Sequence, residues 1–178
     1  MGFAALVAAT LVSAGCGGDD DEGRAESWAN SVCGSLSAWV TDVDESVRSV
    51  TDAGLAIDEE DVQEAVDQVV EATDALAEDL EELGPPETDG GEQARSELES
   101  LTTTLKSEVE TVREAAESDT GIAELATTVT ASLSTASADV SATFEDLEGI
   151  DPGGELEDGF EDAGECDSFR DQLEEIGS

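Results

Sequence analysis

Apolar residues recur along this chain at alternating intervals of four and three. Between Asp58 and Leu83 they fall at Val62, Val66, Val69, Leu76, Leu80 and Leu83, with Thr73 at the step where an apolar residue is missing. A helix places residues so spaced on one face, and the alternation is that of a heptad seam. The spacing returns from Glu92 to Glu117 through Ala94, Leu98, Leu101, Leu105, Val109 and Val112. It returns again between Gly121 and Glu148 through Ile122, Ala126, Val129, Leu133, Ala136, Val140 and Leu147, with Phe144 beside the seam. Ala29, Val32, Leu36, Trp39, Val43, Val47 and Val50 mark a helix before all of these. The pattern predicts an all-α fold: an antiparallel four-helix, up-down bundle of long amphipathic helices, each about 25 residues or roughly 37 Å long. From Gly154 to Ile176 a looser stripe of Leu156, Phe160, Ala163, Cys166, Phe169, Leu173 and Ile176 predicts a short C-terminal helix. One core suits a chain of this size, so residues 27–178 are expected to form a single domain.

Turn chemistry punctuates these segments. Ile57 and Val62 can staple around an Asp58 N-cap. Gly84-Pro85-Pro86 stops the second helix, and Asp89 followed three residues later by Glu92 predicts an N-cap for the third. Asp119-Thr120 precedes the fourth. Gly54 and Gly149 suit left-handed positions at the ends of the first and fourth helices, with Asp151-Pro152 preventing the latter from continuing.

One apolar stretch is not periodic. Phe3 to Ala14 is too short to span a bilayer and ends in small residues, so residues 1–15 read as an export signal. Residues 16–26, which open Cys16-Gly17-Gly18-Asp19-Asp20-Asp21-Glu22-Gly23, have the composition of an acidic tether. Val12-Ser13-Ala14-Gly15-Cys16 resembles the lipobox of prokaryotic lipoproteins, in which the cysteine thiol takes a diacylglyceryl group and becomes the new N-terminus. The resemblance implies lipidation of Cys16 and a protein held at the extracytoplasmic face of the cytoplasmic membrane. The chain departs from that pattern at Ser13, where an aliphatic residue is usual, and in having no Lys or Arg before Arg24.

Charge narrows the chemistry. The chain carries 47 acidic and six basic residues, a formal charge of -41, with Lys106 its sole lysine and neither histidine nor tyrosine. Such a surface repels nucleic acid and anionic headgroups, so no nucleic-acid partner is expected. Absence of histidine removes the common general base, the usual zinc ligand and the Ser-His nucleophile pair. Glycosidase chemistry on carboxylates would need aromatic platforms, and four Phe with two Trp supply little material for them. No catalytic residue, cofactor or metal site is expected. The nearest approach to a calcium loop, Asp42-Val43-Asp44-Glu45-Ser46-Val47, has Val47 where the EF-hand turn requires glycine.

Three cysteines remain to be assigned. With Cys16 taken by lipid and the protein exported, Cys33 and Cys166 are natural disulfide partners that would pin the last helix to the first. The other reading, a pair of free redox thiols, lacks a Cys-x-x-Cys setting or a cationic neighbour to stabilise a thiolate. Trp28 and Trp39, three helical turns apart, share a face: core packing is the first reading, ligand stacking or a membrane-interface role the second. From Gly121 to Thr143 the only charges are Glu124 and Asp139, whereas Asp58 to Leu83 holds a dozen acids and no base. That uncharged helix is expected to be the most buried one, covered by the C-terminal segment; the alternative is a partner surface or the wall of an apolar pocket.

Trp28-Ala29-Asn30-Ser31-Val32-Cys33, the connection from Leu83 to Gly91 and Asp151-Pro152-Gly153-Gly154 leading to Phe160 and Cys166 together resemble a group of small actinobacterial lipoproteins of unknown function. The resemblance covers nearly the whole mature chain. It implies a lipid-anchored helical protein with a cysteine pair and carries no activity. The expectation is therefore a non-enzymatic, lipid-anchored envelope protein acting as an interaction or accessory module. Two alternatives are a carrier of an apolar or lipid ligand, with a cavity lined by Leu101, Leu105, Val129 and Leu133, and low-affinity binding of divalent cations by the acidic faces.

Overall fold

The computed structural model describes residues 19–53, 59–118 and 122–176. Among them every regular element is helical: α1 (Asp19–Ala53), α2 (Glu59–Leu83), α3 (Gly91–Glu117), α4 (Ile122–Glu148), α5 (Glu155–Asp162) and α6 (Gly164–Ile176). Cys16, Gly54, Ile57, Asp58 and Asp119-Thr120 lie outside the described residues.

The heptad seams become the core. Ala29, Val32, Leu36 and Trp39 of α1 pack with Leu76 and Leu80 of α2, Ala94, Leu98, Leu101 and Leu105 of α3, and Ala136, Val140 and Leu147 of α4. Polar pairs across α1 and α2 fix their antiparallel register. Going up α1, Trp28, Ser35, Trp39 and Ser46 meet Gly84, Asp79, Thr73 and Gln68 of α2 and its terminal turn in descending order. At the opposite end from the α2–α3 turn a smaller cluster holds only Val, Leu and Ala: Val62, Val66, Val112, Ala116 and Leu125.

The fourth side of the bundle is closed by the C-terminal helices. α5 and α6 lie along α1 and meet α4 far less, through contacts such as those at Phe144 and Glu148 towards its carboxyl end. α6 runs parallel to α1: Glu165 meets Asn30, Cys166 meets Cys33, and Gln172 bonds Ser37 and Thr41. The expectation that the C-terminal segment covers the uncharged helix is thus overturned. Thr127, Ala131, Ser134, Thr135, Ala138 and Ala142 form an exposed flank of α4.

The expected single C-terminal helix is two. Phe160 and Phe169, nine residues apart, would point to opposite faces of an unbroken helix at ~100° per residue. In the fold both rings meet Phe144 edge-on, at 5.9 and 5.4 Å. The chain achieves this by breaking at Ala163, which is extended, just before Gly164. Phe144 itself belongs to the seam and not beside it, at 3% exposure.

Three smaller expectations change. The first helix starts at Asp19, so residues 19–26 are helical where a tether was expected, and Ala25 is buried. The cap of α3 is Gly90, with no side-chain hydrogen bond, so Asp89 does not cap it; Gly90 fits there because a Cβ would collide with Ile150. Among the described residues the positive backbone angles fall at Gly84 (φ 63) and Gly153 (φ 76), not at Gly149. The α4 end turns back through hydrogen bonds from the Gly149 N–H to the Glu145 and Asp146 carbonyls, which needs no left-handed residue.

Candidate functional site

Cys33 and Cys166 are joined in a disulfide with Cα atoms 5.0 Å apart, across 133 residues of chain. Both are fully buried, so the bond is enclosed in the core. Its surroundings fasten the C-terminal helices at several points. Ala163 precedes α6 and has no side chain that could cap it; Asn30 of α1 supplies the missing oxygen, accepting the Glu165 N–H at 3.0 Å. Arg170 of α6 donates through Nε to Glu148 at 3.1 Å and through a terminal nitrogen to the Phe160 carbonyl at 3.2 Å. The same guanidinium sits 5.5 Å from the centroid of Phe144. One side chain thereby ties the carboxyl ends of α4 and α5 to α6.

Both tryptophans are core residues with their indole N–H groups paired. Trp28 donates to the Gly84 carbonyl at 2.9 Å and Trp39 to the Thr73 hydroxyl at 3.0 Å. Trp28 also meets Phe160 edge-on at 5.9 Å, which joins it to the phenylalanine cluster. Neither ring is free to stack on a ligand.

Among the described residues the surface has little that converges. One open cleft of about 530 Å³ runs between α1 and α2, lined by Ser31, Gly34, Ser35, Asp79, Glu82 and Leu83. Another, about 390 Å³, is lined by Gly23, Glu26, Ser27, Asn30 and Ser31 of α1. Neither touches Leu101, Leu105, Val129 or Leu133; the first two of these are buried in the core and the others half-buried. Among the described residues no three Cys, Asp or Glu side chains are placed to hold a metal ion. In the Asp42–Val47 segment, Asp44 pairs with Arg48 at 2.8 Å and the backbone is continuous helix. Among the described residues no helix is long and apolar enough to cross a membrane.

The cysteine count, with Cys16 assigned to lipid and the chain expected to be exported, brings out the cysteine pair, but nothing in the sequence brings out the Asn30 cap or the Arg170 clamp. Each of those joins residues on different helices and has no local pattern. Comparison with protein-family models, with curated proteins and with solved structures finds no match to this chain.

Proposed function

We propose that the protein is a non-enzymatic lipoprotein of the cell envelope, anchored through a diacylglyceryl group on Cys16 and acting as a rigid acidic interaction module. The observation that carries the reading is the enclosed Cys33–Cys166 disulfide. Structural disulfides belong to oxidising compartments, so the bond agrees with export through the leader ending at Gly15. Diacyl attachment gives a stable anchor where a single acyl chain would not. The absence of histidine and the pairing of both indoles agree with a body that presents surface instead of chemistry.

Mass spectrometry of the mature N-terminus tests the anchor. The expected species begins at Cys16 and carries the mass of a diacylglyceryl group, and Cys16→Ala moves the protein from the membrane fraction to the soluble one. An unmodified Cys16 thiol on an otherwise intact N-terminus overturns the proposal.

A further inference from the structure

The anchor of the preceding reading sits next to one particular end of the bundle. Three peptide links join Cys16 to Asp19, where α1 begins, a reach of at most about 11 Å. The α1 amino end is packed, not loose. Ala25 is buried, and a Cβ on Gly159 of α5 would lie 2.8 Å from the Ala25 carbonyl carbon. Arg24 is paired with Glu87 in the α2–α3 turn, and Trp28 is bonded to Gly84 in the same connection. Gly90 of that turn packs on Ile150. The α1 start, the 84–90 turn, the 149–154 turn and α5 therefore form one end of the molecule.

We infer that this end faces the lipid surface and that the bundle stands upright on it, with the carboxyl ends of α1 and α3 and the amino ends of α2 and α4 farthest away. The inference rests on the Cys16 anchor. Length sets the scale: 35 residues of α1 span about 52 Å.

Electrostatics decides between standing and lying. An anionic membrane attracts each nearby basic residue by about 1 kcal/mol and disfavours each acidic one by a similar amount, within a Debye length of about 8 Å. The anchor holds the four acids Asp19 to Glu22 near the lipid in either stance; the further charges that the upright stance brings into that layer are those of one end, chiefly Glu87, Asp89, Asp158, Glu161 and Asp162. Lying on α2 would add Glu64, Asp67, Glu71, Asp74, Glu78 and Glu82, all exposed. The side that escapes most of this penalty is the uncharged flank of α4, and it is the competing contact.

The test uses the lipidated, full-length protein on vesicles of phosphatidylcholine and phosphatidylglycerol carrying a nitroxide on the headgroup. Mass analysis of Cys16 and vesicle flotation come first; a chain that lacks the lipid or does not float overturns the anchor, and the stance falls with it. A fluorophore is then placed at Asp89→Cys, Glu114→Cys or Ala131→Cys, each exposed. The expected result is loss of most fluorescence at position 89 and none at 114 or 131. Quenching at 131 matching that at 89 places α4 on the membrane, and equal quenching at all three places the bundle on its side. Either pattern in a floating, lipidated protein overturns the upright stance while leaving the anchor intact.

Discussion

Thr73 occupies the gap in the apolar pattern of the second helix, and its surroundings explain the choice. Its hydroxyl accepts the buried indole N–H of Trp39 at 3.0 Å and donates to the Val69 carbonyl at 2.8 Å. A valine there would keep the shape and leave the N–H without a partner. Thr73→Val is expected to lower stability in urea by about 1 to 3 kcal/mol, the cost of an unpaired buried donor. In a Trp39→Phe background the same change should cost much less. Equal costs in the two backgrounds would show that the bond contributes nothing. The missing heptad step was legible in the sequence as a gap. Its purpose was not, because Trp39 lies on another helix.

At the scale of the element, small residues set how closely helices approach. α5 crosses α1 where Gly159 faces Ala25, and there is no room for a methyl group between them. Gly159→Ala should destabilise the protein by about 1 to 3 kcal/mol by prising α5 from α1. Faster amide exchange along α5, with α3 unchanged, would report the local character of the loss; uniform acceleration through all helices would contradict it. Periodicity located the four long helices to within a few residues, except at the α1 start, because each buries a stripe that repeats for seven turns or so. It failed between Gly154 and Ile176. There the apolar residues drift by threes, and only the position of Phe144 shows that the chain must turn between Phe160 and Phe169.

For the whole molecule the dominant quantity is charge. All six basic side chains are engaged in ion pairs, among them Arg95–Glu99 at 2.7 Å and Lys106–Asp74 at 3.1 Å. Most are exposed and worth about 0 to 1 kcal/mol each, so they offset little of the repulsion among 47 acids. No described helix carries a basic residue in its last turn, so the carboxyl ends of the helix dipoles lack that compensation as well. Salt screens repulsion over distances that the solvated ion pairs do not reach. Raising sodium chloride from about 0.02 to about 0.5 M should therefore raise Tm by several degrees. A Tm that falls with salt would show that the ion pairs outweigh the like-charge repulsion.

What the sequence alone determined follows from local periodicity and residue chemistry: an all-helical chain, the faces its helices bury, the breaks at Gly84-Pro85-Pro86 and after Glu148, and an acidic exterior without histidine chemistry. These depend on spacing within one helix, and spacing is written in the chain. The tertiary structure decided which helices are neighbours. It laid α5 and α6 along α1, left the α4 flank exposed, supplied the Asn30 cap and the Arg170 clamp, and brought Phe144, Phe160, Phe169 and Trp28 together. Heptad seams are nearly interchangeable as surfaces, so their pairing depends on loop lengths, on close approaches such as Gly159 to Ala25 and on the Cys33–Cys166 bond. Those are relations between distant residues, fixed only when the whole chain has packed.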